Sequence, residues 1–175
     1  MIGRNHKVVP LRRSSKLLTR KPWVRGVNHS DMRWLFAAYR LGMWRDMISG
    51  ELSAQAFEEK ALEIIAAAPY EWIIDAPGAD GMRPVAIILG KNLGTGIEPF
   101  VDWFPWATNR NQMEATAVFL KEISKQVKIF VFAAEDAIKF WSLFKRYGMV
   151  RQGCKVVDYF SRGEHAMLYY TTGSW

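Results

Sequence analysis

Between residues 97 and 171 the sequence alternates strand-like and helix-like segments in an order that few architectures accept. An apolar run at 97–104 passes through Pro105 into a helical pattern at 111–126. A second strand-like run at 128–132 leads to a helical pattern at 134–147, which Gly148 closes; strand-like runs at 150–160 and 165–171 follow. Strands alternating with helices in this way predict a sheet with helices packed on its faces.

The preceding residues supply the rest of such a domain. Asn28, His29 and Ser30 offer capping side chains before Asp31, and Met32, Leu35, Phe36 and Tyr39 recur at helical spacing, predicting a helix to about Trp44. Ser53 caps a second helix through residue 68, with Phe57, Ala61, Ile64 and Ile65 on one face and Pro69 ending it. Short strands are expected at 71–75 and 84–90, joined by a Gly- and Pro-rich turn, and a hairpin loop at 92–96. The expected fold class is α/β, a mixed α+β sheet flanked by about four helices. Residues 30–175 form the domain and residues 1–29 an extended arm.

Length and composition fit one packed domain: 175 residues, half of them apolar. No run approaches the roughly 18 apolar residues that a membrane span needs. The N-terminal segment also lacks the apolar core and small-residue cleavage site of a secretory signal. Cys154 alone cannot form an internal disulfide, and with His6, His29 and His165 scattered along the chain no metal-ligand set is expected. A reducing cytosol, or a particle assembled in one, suits that usage. The charge is concentrated at one end. Arg4, Lys7, Arg12, Arg13, Lys16, Arg20, Lys21 and Arg25 precede the first acidic residue, whereas residues 29–175 carry 16 basic and 17 acidic side chains.

The element order from 30 to 172 resembles the GCN5-related N-acetyltransferase (GNAT) superfamily. The segment Phe140, Trp141, Ser142, Leu143, Phe144, Lys145, Arg146, Tyr147, Gly148, Met149 looks like the family's helix-ending turn. The resemblance implies that acetyl-CoA would bind at the start of the helix after the fourth strand, where the family presents backbone N–H groups from a glycine-rich loop. Here the corresponding residues are Ala107, Thr108, Asn109, Arg110, Asn111 and Gln112, with no glycine among them. Met113 would crowd the site and Glu114 would bring like charge to a phosphate. Thr108 or Asn109 also reads as an ordinary helix cap. Many family members protonate the departing thiolate with a tyrosine four residues before the glycine; Phe144 stands there and cannot donate. Tyr147 lies further round the helix. Glu98 and Asp102, on one face of the 97–104 strand, are the candidate bases.

Size and aromatic pattern also resemble the acetyltransferase-like internal virion proteins of short-tailed bacteriophages. That likeness implies a scaffold reused for assembly, with Trp103, Pro105 and Trp106 filling the cleft where the fourth and fifth strands part. Trp34, Trp44, Trp72 and Trp141 read as core, and Trp175 as exposed or at an interface. In the arm, apolar pairs such as Val8-Val9, Leu17-Leu18 and Trp23-Val24 interleave with Arg4, Lys7, Arg12, Arg13, Lys16, Arg20, Lys21 and Arg25, a pattern suited to a groove on a protein. The resulting expectation is a structural or assembly component of a tailed phage virion, in the particle or the host cytoplasm, needing no cofactor and docking on a neighbour through residues 1–28. A homo-oligomer is compatible with it. The alternative is an active N-acetyltransferase using acetyl-CoA. A second alternative is a nucleic-acid-binding protein, its basic arm neutralising phosphates.

Overall fold

The computed structural model describes residues 21–172. A four-stranded antiparallel sheet is built from β1 (Trp23–Arg25), β2 (Tyr70–Gly78), β3 (Gly81–Asn92) and β4 (Ile97–Trp103), in that spatial order. A second antiparallel sheet holds β5 (Phe130–Ala133), β6 (Arg151–Ser161) and β7 (Glu164–Tyr170), with β7 between the other two. The helices are α1 (Met32–Arg40), α2 (Ala54–Ala67), α3 (Asn109–Ile123) and α4 (Ile138–Arg146), with 3-10 turns at His29–Asp31 and Glu135–Ala137.

Alternation along the strands divides the interior in two. Ile74, Ala76, Ile88 and Ile97 face α3 and α4, where Phe119, Leu120 and Phe144 complete one core. Ile73, Ile87 and Phe104 face the other way, against Leu35, Tyr39, Phe57 and Ala61 of α1 and α2. The sheet is therefore covered on both faces, and β2 and β3 read as continuous apolar runs.

Four local differences from the sequence reading have identifiable causes. Residues assigned to the arm form strand β1, in which Val24 pairs with Ile74 and the Arg25 guanidinium bridges Asp31 and Asp75 at 2.7 Å each. The folded unit thus includes Trp23–Arg25, which lie inside the segment read as arm. Helix α1 ends at Arg40 and not Trp44, because Gly42 and Trp44 both take positive φ, 110° and 62°. Strand β3 runs through Pro84 because the register slips there, from Ile74 opposite Ala86 to Asp75 opposite Pro84. Val85 becomes an extra residue and the proline needs no ladder N–H. Helix α3 starts two residues earlier than expected, at Asn109, because Thr108 supplies the cap.

Among the described residues the backbones of the two sheets are joined by one bridge. Ile97 forms a parallel bridge with Ile129, its N–H donating to the Lys128 carbonyl at 2.8 Å. A Cβ on Gly96 would sit 2.3 Å from that same carbonyl oxygen, so only glycine admits so close an approach. Among the described residues the β4–β5 ladder goes no further.

Candidate active site

The parting of β4 and β5 follows from the sequence of β4. The Phe104 N–H bonds to Val85 on β3, whereas the Ile97 N–H points to β5. By alternation, Pro99, Val101 and Trp103 also direct their main chain toward β5. Pro99 has no N–H to extend the ladder, and the strands separate beyond it. Val101 and Trp103 therefore present main-chain N–H and C=O groups along the opening.

On the α3–α4 face of that opening lies a cavity of about 410 Å³. Pro99, Val101 and Trp103 form one wall, and Gln112, Thr116 and Phe119 of α3 the second. Val131 of β5, with Phe140 and Trp141 of α4, closes the third. The lining is almost wholly apolar, with a few polar atoms at the α3 end, the usual make-up of a small-molecule site. The expected tryptophan plug is not built. Trp103 lines the cavity without filling it. Trp106 turns to the opposite core, where its indole N–H donates to the Pro84 carbonyl at 2.7 Å and its ring packs edge-on to Trp34. Pro105 is exposed.

The start of α3 opens at one end of this cavity. Thr108 and Asn111 form a reciprocal capping box, the Asn111 N–H donating to the Thr108 hydroxyl and the Thr108 N–H to the Asn111 amide oxygen, both at 3.1 Å. Gln112 N–H bonds to the Thr108 carbonyl and Asn111 N–H to the Thr108 hydroxyl, so Asn109 and Arg110 carry the remaining N–H groups of the first turn. Arg110 is an exposed cation paired with Glu114 at 2.7 Å, so the carboxylate expected to repel a phosphate is already partly neutralised. Met113 packs against the core, Ala107 does the same, and Gln112 reaches the cavity.

Glu98 and Asp102 do share a face, as alternation predicts, but it is the face opposite the cavity. Asp102 accepts from the Trp44 indole at 2.8 Å, pinning the α1–α2 loop to β4. Burial raises its pKa above the ordinary carboxylate value, and the Trp44 hydrogen bond offsets part of that. Glu98 is 5% exposed and accepts from the hydroxyl of Tyr159, whose ring stacks on Phe132 at 4.3 Å. Between the two carboxylates Phe100 is exposed. Burial, reinforced by the hydrogen bond to Glu98, pushes the Tyr159 hydroxyl above the ordinary phenol range.

Phe144 is fully packed between Phe140 and Trp141, and Tyr147 is exposed and remote from the cavity. Gly148, at φ 73°, ends α4 in a Schellman turn, with Met149 N–H bonded to Phe144 and Gly148 N–H to Lys145. Of the residues given to a partner surface, Arg25 is engaged inside the domain, Trp23 is half exposed on β1, and Lys21 is exposed. Arg4, Lys7, Arg12, Arg13, Lys16 and Arg20 lie outside the described residues. His29 pairs with Glu58, and Cys154 is exposed. Among the described residues no cluster of metal-ligating side chains occurs, and no helix is long and apolar enough to cross a membrane.

Sequence reasoning missed Thr116, which lines the cavity, and the Tyr159–Glu98 hydrogen bond, which lies on the opposite face. Thr116 was within reach, one turn beyond Gln112 on the same face of α3. Tyr159 was not, because its strand carries an irregularity at Asp158, φ 52°, that no spacing announces.

No protein-family model matches the chain, and no curated protein is similar to it in sequence. Solved structures are similar in fold. Mutant forms of the spermidine/spermine N-acetyltransferase from Vibrio cholerae superpose with a TM-score of 0.60 at 13% identity, over 87% of this chain and 95% of theirs. A dodecameric structure of the spermidine N-acetyltransferase from Vibrio cholerae gives 0.58 at 14%, over 88% and 95%. The spermidine N-acetyltransferase from the same organism in complex with CoA and spermine gives 0.56 at 13%, over 86% and 94%. The chain has the GNAT acetyltransferase fold.

Proposed function

We propose that the protein is an acyl-CoA-dependent N-acyltransferase acting on an amine. The observation that carries this is the open apolar cavity between β4 and β5, with the α3 N-terminus at one end and unladdered β4 main chain along its side. An extended ligand with amides along its length and an anion at one end matches that arrangement: the Val101 and Trp103 main chain would take the amides, and Asn109 and Arg110 the phosphates. CoA supplies the activated acyl thioester. The chain's own residues, the first turn of α3 with Val101 and Trp103 of β4, would hold it, and the apolar lining would exclude water from it. On the opposite face Phe100 is exposed, an aromatic ring over which an ammonium group could sit. One of the similar structures holds CoA and spermine, which agrees with a basic amine as acceptor.

An assembly role in a phage particle draws no support from these similarities. One expectation attached to it, indoles filling the cleft, is not met. The test is thiol release from acetyl-CoA with spermidine as probe amine. Turnover that falls at least tenfold in Thr116→Phe, which fills the cavity, supports the reading; turnover untouched by that change refutes it.

A further inference from the structure

A groove of about 700 Å³ lies between the 3-10 turn Glu135–Ala137, the start of α4 and the β6–β7 hairpin. Ile138, Met167 and the half-exposed Phe160 supply its apolar surface. Three carboxylates stand around them, Glu135, Asp136 and Glu164, against Lys155 and His165. Among the described residues none of those carboxylates has a cationic partner. Such a groove suits an extended segment that carries apolar side chains between basic ones. The chain has one: Lys7, Val8, Val9, Pro10, Leu11, Arg12 and Arg13, in a stretch where no acidic residue precedes Asp31. We propose that residues 7–13 dock in this groove of their own chain, their three cations meeting its three carboxylates and Val8, Val9 and Leu11 covering Phe160.

Strand register places the groove within reach. The segment joins β1 at Trp23, which lies opposite Asp75; Asp75 lies opposite Pro84, and Ala86 opposite Trp103 at the C-terminal end of β4. From the Ile97–Ile129 bridge β5 runs parallel to β4, so Ala133 lies toward that same end, paired with Met167 of the groove. Segment and groove therefore share one end of the sheets. Crossing from β1 to β7 spans five strand spacings, about 24 Å before β4 and β5 part. Counted back from Lys21, Val8–Leu11 can extend ~33–47 Å, whereas Leu17 and Leu18 extend no more than ~14 Å and fall short.

The experiment is timed trypsin cleavage of the full-length protein, with the cuts after Arg12 and Arg13 read by mass spectrometry. Cleavage follows the undocked population, so Glu135→Lys with Asp136→Lys should speed both cuts about tenfold or more. Phe160→Ser, which leaves the charge unchanged, should act in the same direction, as should salt near ~1 M, where screening shortens to ~3 Å. The same charge change on α2, Glu59→Lys with Glu63→Lys, should leave the cuts slow. Cuts as fast in wild type as in both groove variants overturn the proposal. Bismaleimide cross-linking of Ser14→Cys to Cys154, the chain's one cysteine and exposed beside Lys155, then shows which copy supplies the segment. A cross-linked monomer supports docking within the chain. A cross-linked dimer alone, or protection that appears only with added duplex DNA, overturns it.

Discussion

Replacing Arg25 with alanine probes the point where the structure departs most from the sequence reading. In the fold its guanidinium makes four hydrogen bonds to two carboxylates, Asp31 and Asp75, at 2.7 to 3.3 Å. The side chains of Arg25, Asp31 and Asp75 are 19%, 2% and 9% exposed. Arg25→Ala leaves two buried carboxylates side by side with no cation between them. Breaking a buried pair by removing one partner costs about 3–5 kcal/mol. Strand β1, only three residues long, also loses its anchor to the start of α1. For a chain of this size each kcal/mol moves Tm by roughly 2–4 °C, so a fall of about 6–20 °C is expected. Urea unfolding of wild type and variant, with a thermal melt alongside, reads the loss directly. A loss under about 1 kcal/mol is the range of an exposed ion pair and would refute the internal role derived for Arg25.

Other consequences can be checked the same way. Removing residues 1–20 should leave a cooperatively folded domain, whereas removing residues 1–28 takes β1 and Arg25 with it and should lower Tm sharply. Equal melts for the two truncations would contradict the placement of β1. Gly96→Ala forces a Cβ against the Lys128 carbonyl and should cost about 2–3 kcal/mol and weaken CoA binding, measured by melt and titration. Asp102 has its pKa raised by burial, so ionisation opposes folding: its contribution is intact below the ordinary value of 3.8 and lost as pH rises through the higher folded value. Asp102→Asn should therefore be more stable than wild type at pH 7, with the gap closing as pH falls through the carboxylate range. A pH-independent difference contradicts that sign.

Much of the scaffold was legible because each element carried its own signal. Ser53 caps α2 as its side chain suggested, and Gly148 reverses the chain after α4. Strand β1 gave no such signal: three residues between Pro22 and Gly26, set among basic side chains, are recognisable only through their pairing with β2. Alternation placed Glu98 and Asp102 on one face of β4, yet which face meets the cavity depends on where α3 packs, a tertiary matter. The same limit separates Trp103 from Trp106. One lies within the strand's period and lines the cavity; the other follows the strand's end and swings to the opposite core. Missing glycines suggested a closed loop because local reading registers only backbone freedom. The opening itself comes from Pro99 and Gly96, which make β4 and β5 touch once and then part.

The central claim is that this opening holds a CoA thioester, and calorimetric titration of the purified protein with acetyl-CoA and CoA tests it most directly. The account predicts binding near micromolar Kd, lost on filling the cavity through Thr116→Phe. No heat of binding at millimolar ligand, from a wild-type protein with an intact melting transition, would contradict it.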